Sequence, residues 1–457
     1  MILQNKNEME ERKIIIICTA LCFIFMYILL NQTISNIYMP DDYLLSSEKM
    51  PTSFYMSQGR FIQGFINCFY NIIDVNIVSG STLFTPIFLL TTSLVASTFV
   101  TKISKEETPF LIIILLSFCI VSHPVFAMMA VYHLATVCFS ICMISIYFYM
   151  QLSEYDCNSR SQNILCILLV VLICGNYQPG LIVCVIYTLV HSKVKYGTLF
   201  NSSGFKRYLS LLIGLLIYLT IAVISKSVLS YNNWDTRLEP VDNIILRITE
   251  VLNFLPNLFY KEWWVIPKYL GLSYSFMLLA FLFPCIYKIK HLTKVVSISL
   301  VSLSLILAPI AIIKEWDPTP RAIFSIAFFY PAVALLSGSI EIKKIKIFIL
   351  SLSILIGSLS TGKYLYNVDL DSKKDKEIIS IVYNELSKLD HNREIYIYNN
   401  NAISVAPWAV KGLYYFYTKD IIDFKVFSSE KISPCNNKKQ NISTLLDKDK
   451  IIFCLNG

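Results

Sequence analysis

Long apolar runs separated by short polar turns dominate the first 361 residues. The runs 14–30, 81–100, 109–122, 131–150, 163–175, 179–191, 208–225, 274–287, 295–313, 322–338 and 347–361 predict about eleven membrane-crossing helices, several of them short. A transmembrane barrel would instead show short segments of alternating polarity. The run 61–73 is too short to cross and has polar flanks, which predicts an interfacial or re-entrant helix. After Thr361 the pattern changes. Alternation over 394–398 and 450–453 predicts strands, and Ile378, Ile379, Val382, Leu386 and Leu389 keep helical spacing over 374–389. The predicted fold is an all-α polytopic membrane protein with a small α/β C-terminal domain, divided as 1–361 and 362–457.

Composition agrees with this division. Apolar residues make up 55% of the chain and charged ones 15%, far from the soluble norm. The net charge of +8 is no sign of nucleic-acid binding, because the basic residues gather in short loops where they set topology. With the N-terminus inside, the inner loops carry Lys102 and Lys105; Arg160; Lys193, Lys195, Lys206 and Arg207; Lys288, Lys290 and Lys294; and Lys343, Lys344 and Lys346. The outer turns at His123-Pro124 and Asn176-Tyr177-Gln178-Pro179 carry none. The longer loop 226–273 departs from the rule, and its Trp263-Trp264 pair reads as an interfacial anchor. The first run follows Arg12 and Lys13 without a small-residue cleavage site, so it reads as a retained anchor. By parity the tail faces outward. There Cys435 and Cys454 are in a position to form a disulfide in an oxidising compartment, whereas the cysteines within the spans act as small apolar residues.

The same parity puts the unusual polar groups outside. Asp41 and Asp42 follow the first span directly. A carboxylate can take the proton from an attacking hydroxyl, and a second can orient the acceptor or raise its neighbour's pKa; Pro40-Asp41-Asp42 is equally good turn chemistry. Arg60 follows Gly59 and can pair with a lipid phosphate or snorkel to headgroups. Arg321 ends a loop fixed by Pro318 and Pro320, where a phosphate or carboxylate partner, or a pair with Asp317 or Glu315, would offset its charge. Tyr177 and Gln178 suit sugar hydroxyls or a simple turn. His123 and His133 have no clean metal-ligand set around them.

The acidic pair, the Gly-Arg, the interfacial segment, the Tyr-Gln turn and the late Pro-Arg loop, in that order, resemble the serotype-converting O-antigen glucosyltransferases of enteric bacteria and their phages. These Gtr-type proteins belong with the polytopic GT-C glycosyltransferases. The likeness covers roughly 14–361. It implies an enzyme of the bacterial inner membrane, N-terminus cytoplasmic and tail periplasmic. It further implies inverting transfer of glucose or another hexose from an undecaprenyl-phosphate sugar to lipid-linked O-antigen. The catalytic acid would be Asp41 or Asp42. Arg60, His123, Tyr177, Gln178, Asp317 and Arg321 would contact substrate, and no cofactor is implied beyond a divalent metal that some such enzymes use. Three other readings compete. An O-antigen polymerase would carry large arginine-rich outer loops, a flippase would place charges within its spans, and a non-catalytic scaffold would tolerate loss of both aspartates.

Overall fold

The computed structural model describes the whole chain except residues 1, 35–36, 48–50, 154–159, 200–201, 229–238, 265, 315, 317, 339–343, 390–392, 401, 429–434, 436–441, 448–449 and 457. The first helix, α1 (Ile2–Ile34), leads into four short ones: α2 (Pro40–Ser47), α3 (Thr52–Ser57), α4 (Phe61–Ile72) and α5 (Ile77–Thr82). A bundle follows, made of α6 (Thr85–Ile103), α7 (Phe110–Val121), α8 (Pro124–Ala130), α9 (Thr136–Leu152), α10 (Arg160–Tyr177), α11 (Gly180–Tyr196) and α12 (Ser202–Val228). It is completed by α13 (Ile244–Phe259), α14 (Lys268–Leu282), α15 (Ile289–Ala311) and α16 (Ile326–Leu336). The 43-residue α17 (Lys344–Leu386) then runs into the C-terminal unit.

Among the described residues eight helices are long and apolar enough to cross a membrane, and nine if α7 and α8, bent by 51° at their junction, count as one span. This is fewer than the eleven expected. The segment expected at 179–191 is α11, of 17 residues, and the one expected at 322–338 lies in the short apolar stretch Pro320–Leu336. Both are mostly buried among other helices, so neither needs the full length that lipid exposure demands. Several long apolar helices make this a polytopic helical protein suited to a bilayer.

α4 has an inverted surface. Gln63 and Asn67 are buried, while Phe65, Phe69 and Ile72 are 60–76% exposed. Positions 65, 69 and 72 fall on one stripe of a helix. That arrangement suits an apolar environment outside the helix and a polar one within.

The C-terminal unit contains β1 (Glu394–Asn400), α18 (Val410–Thr418), β2 (Phe424–Ser428), β3 (Ile442–Asp447) and β4 (Lys450–Asn456). Its sheet has the order β2-β1-β4-β3, with only the β3–β4 pair antiparallel. The alternation in β1 buries Ile395 and Ile397 against Ile379, Val382 and Leu386 of α17 and Leu413 of α18. The composition change after Thr361 therefore falls inside one unbroken helix, whose apolar first part lies in the bundle and whose last turns cover the sheet. Cys435 and Cys454 form a disulfide, with Cα atoms 5.6 Å apart.

Two cores result, one in the bundle and one in the C-terminal unit. α2 belongs to both: Leu45 is buried in the first and Tyr43 in the second.

Candidate functional site

The site begins at the N-terminus of α2. Pro40 opens the helix, where its missing N–H costs nothing, and two acids in the first turn suit the helix dipole. Asp42 reaches back to accept the N–H of Met39 at 3.0 Å, one half of a capping box. It also accepts the N–H groups of His133 (3.3 Å) and Leu134 (2.9 Å), which open the single 3₁₀ turn His133–Ala135. The His133 ring donates from Nε2 to the carbonyl of Ile37 at 2.7 Å, closing the loop. Asp42 is fully buried. Burial pushes its carboxyl up to about 7, against the opposite pull of the three N–H donors. Its oxygens thus staple α2 to the start of α9.

Asp41, one residue earlier, is only half-buried and has no ion-pair partner among the described residues. Successive helical residues point about 100° apart, so one acid enters the protein while its neighbour stays accessible.

Arg321 lies on the 3₁₀ turn Pro320–Ile323 that leads into α16. Its guanidinium carbon sits 4.0 Å from the centroid of the Tyr132 ring, a cation–π contact. One of its terminal nitrogens, Nη1, is buried without a hydrogen-bond acceptor among the described residues. Burial opposes the charge on this guanidinium and holds its pKa below the usual arginine value. The Asp41 carboxylate supports the charge and Arg60 opposes it, so all three share one electrostatic neighbourhood, which Tyr364 of α17 joins. A buried N–H without an acceptor is costly unless something supplies one.

Arg60 is set by the turn between α3 and α4. Gly59 has φ +72°, and a Cβ there would lie 2.6 Å from Tyr218 Oη, so both conformation and space require glycine. The Gln178 amide donates to Tyr218 Oη at 2.9 Å and to the Gln58 carbonyl at 3.3 Å. Gln178 therefore buttresses the Gly59-Arg60 turn, and its donors are occupied.

Tyr177 and His123 lie elsewhere. Tyr177 is buried between the rings of Phe139 (5.0 Å) and Phe324 (6.0 Å). His123 caps α8 by accepting the Val125 N–H at 3.4 Å, and its ring stacks on Tyr274. It borders a small cavity with Trp263, Tyr274 and Tyr330, apart from the acidic group. In the free protein both side chains are thus buried, Tyr177 among aromatic rings and His123 at a helix cap. Asp317 lies outside the described residues.

The structure brings together Asp41, Asp42, Arg60 and Arg321, with Gln178 one layer behind. Sequence reasoning missed Tyr132, Tyr218 and Tyr364. Tyr132 adjoined a histidine already singled out, but tyrosines inside apolar runs carry no separate signal. Among the described residues no three His, Cys, Asp or Glu side chains are grouped so as to hold a metal ion. No family model and no curated protein matches the chain.

Proposed function

We propose that the protein is a membrane glycosyltransferase that moves a hexose from a polyprenyl-phosphate carrier to a hydroxyl of a lipid-linked polysaccharide, on the outer side of the bacterial inner membrane. The observation that carries this reading is the Arg321 guanidinium, with a buried unpartnered N–H, sharing a neighbourhood with the half-buried carboxylate of Asp41. It is the pairing that phosphate departure and proton removal require.

In this reading Asp41 takes the acceptor hydroxyl proton as that oxygen attacks the anomeric carbon. The bond from that carbon to the phosphate oxygen breaks, the electron pair leaves with the phosphate, and the configuration inverts. Arg321 and Arg60 receive the charge that grows on the phosphate in the transition state. Asp42 holds the helix that carries the base. A lipid carrier fits such a site, because its chain stays in the bilayer while the head group reaches the outer end of the bundle. Glucose as the sugar and O-antigen as the acceptor rest on the Gtr-type resemblance.

The test is expression in a bacterium of known O-antigen structure, followed by analysis of the polysaccharide. A new side-branch hexose is expected, and it should vanish in Asp41→Asn while the protein stays in the membrane. A changed chain length without a new sugar would favour a polymerase. Full modification by Asp41→Asn would remove the base assignment.

A further inference from the structure

The C-terminal unit touches the bundle at the segment that carries the acids. α18 packs on α2, with the buried Gly412 set against the α2 backbone. A Cβ on Gly412 would overlap the carbonyl of Tyr43 and lie 2.7 Å from Leu44 Cα. These are backbone atoms, so relief would require one helix to move relative to the other. Tyr43 and Leu44 are the two residues that follow Asp42.

The side chains around this contact are aromatic and come from both units. The Phe416 ring of α18 lies 4.6 Å from Tyr38 and 5.4 Å from Tyr43. Tyr417 places its hydroxyl 3.4 Å from that of Tyr43. On the opposite side α2 is held by the Asp42 carboxylate on the N–H groups of His133 and Leu134. An eight-residue helix has little stability of its own, so its position follows from what grips it on each side.

We infer that the C-terminal unit positions the acidic helix, with Gly412 as the positioning residue: α18 and the Asp42 staple together fix where Asp41 stands. The catalytic consequence rests on the transferase reading above; the mechanical claim does not. Gly412 touches no substrate and acts through the α2 backbone.

The experiment uses the full-length protein in lipid nanodiscs, as wild type, Gly412→Leu and Phe416→Ala. Hydrogen–deuterium exchange is followed in peptides covering 38–47, 132–136 and the strands of the tail. Both variants should exchange about tenfold faster or more at 38–47 and at the His133 and Leu134 amides, with β1 and β4 protected as in wild type. Phe416→Ala is the milder change and decides the matter if Gly412→Leu unfolds the tail. Unchanged exchange at 38–47 in Phe416→Ala, with the Tyr38 and Tyr43 contacts removed, would overturn the proposal. In a transfer assay, kcat of Phe416→Ala should fall by about 10²-fold, as expected for a displaced reacting group, with donor KM within about twofold. A fall in donor affinity with kcat unchanged would show the tail acting on binding and would also overturn it. If wild type transfers no sugar while the exchange result appears as expected, the positioning claim stands and the transferase reading fails.

Discussion

Two groups of polar and aromatic side chains look alike in the sequence and differ in what the fold does with them. Around His123, the Tyr274 hydroxyl donates to the Cys119 carbonyl and the Tyr330 hydroxyl to the Leu258 carbonyl, each at 2.8 Å, and the histidine caps a helix. Apart from the Trp263 N–H and the His123 Nε2, which faces the cavity, this group's polar atoms hold helices together. Around Asp41, a carboxylate and a guanidinium N–H are left without protein partners among the described residues. Groups with internal partners stabilise a fold, and groups denied them are available for a ligand.

The largest effect that would break this contrast is at Arg321. Arg321→Ala should lower the transfer rate by about 10²–10³-fold, the range for a lost electrostatic stabiliser, while His123→Gln should stay within about threefold. Single-turnover transfer assays on matched membrane preparations would measure both. Equal losses would make His123 part of the site and erase the distinction.

The pH dependence of stability sharpens it further. The folded Asp42 carboxyl, at about 7, lies above the unfolded value of an aspartate, about 4. The folded state therefore holds a proton that the unfolded state has released. The stability this contributes is complete below about pH 4 and is lost as pH rises through about 7. Thermal melting should fall between pH 5 and 8 in wild type, and this slope should flatten in Asp42→Asn. An identical slope in both would assign the pH response to other groups.

Smaller effects are expected one layer out. Gln178→Ala removes the amide behind the Gly59-Arg60 turn, and loss of such a hydrogen bond costs about 1 kcal/mol. Donor KM should rise about fivefold or less, with kcat nearly unchanged. The disulfide can be checked by thiol labelling under denaturing conditions: Cys435 and Cys454 should stay unlabelled until reductant is added.

Much of the architecture was legible because hydropathy and periodicity report burial directly. The long spans, the strands near 394–398 and 450–453, and the acidic pair beyond the first span all follow from local pattern. What escaped depends on partners distant in sequence. Nothing in Asp41-Asp42 tells which acid turns inward; the N–H groups that decide it come from residues 91 and 92 positions on. Gln178 in a turn reads the same whether it meets a sugar or the Tyr218 hydroxyl. Gly412 carries no mark of its contact, since the reason for a glycine there is the approach of another backbone. The two shorter apolar helices read like the longer spans because hydropathy measures apolarity and is blind to whether lipid or protein surrounds a segment.

α17 has a further consequence. It runs without a break from Lys344 to Leu386, and at about 1.5 Å per residue it is a rod roughly 65 Å long. The tail therefore cannot swing independently on this side; it moves as the rod moves. Tilting such a rod by about 5° about one end carries the other through about 6 Å. A shift of this rod within the bundle is thereby passed, through α18 packed on both α17 and α2, to the place where the two carboxylates sit.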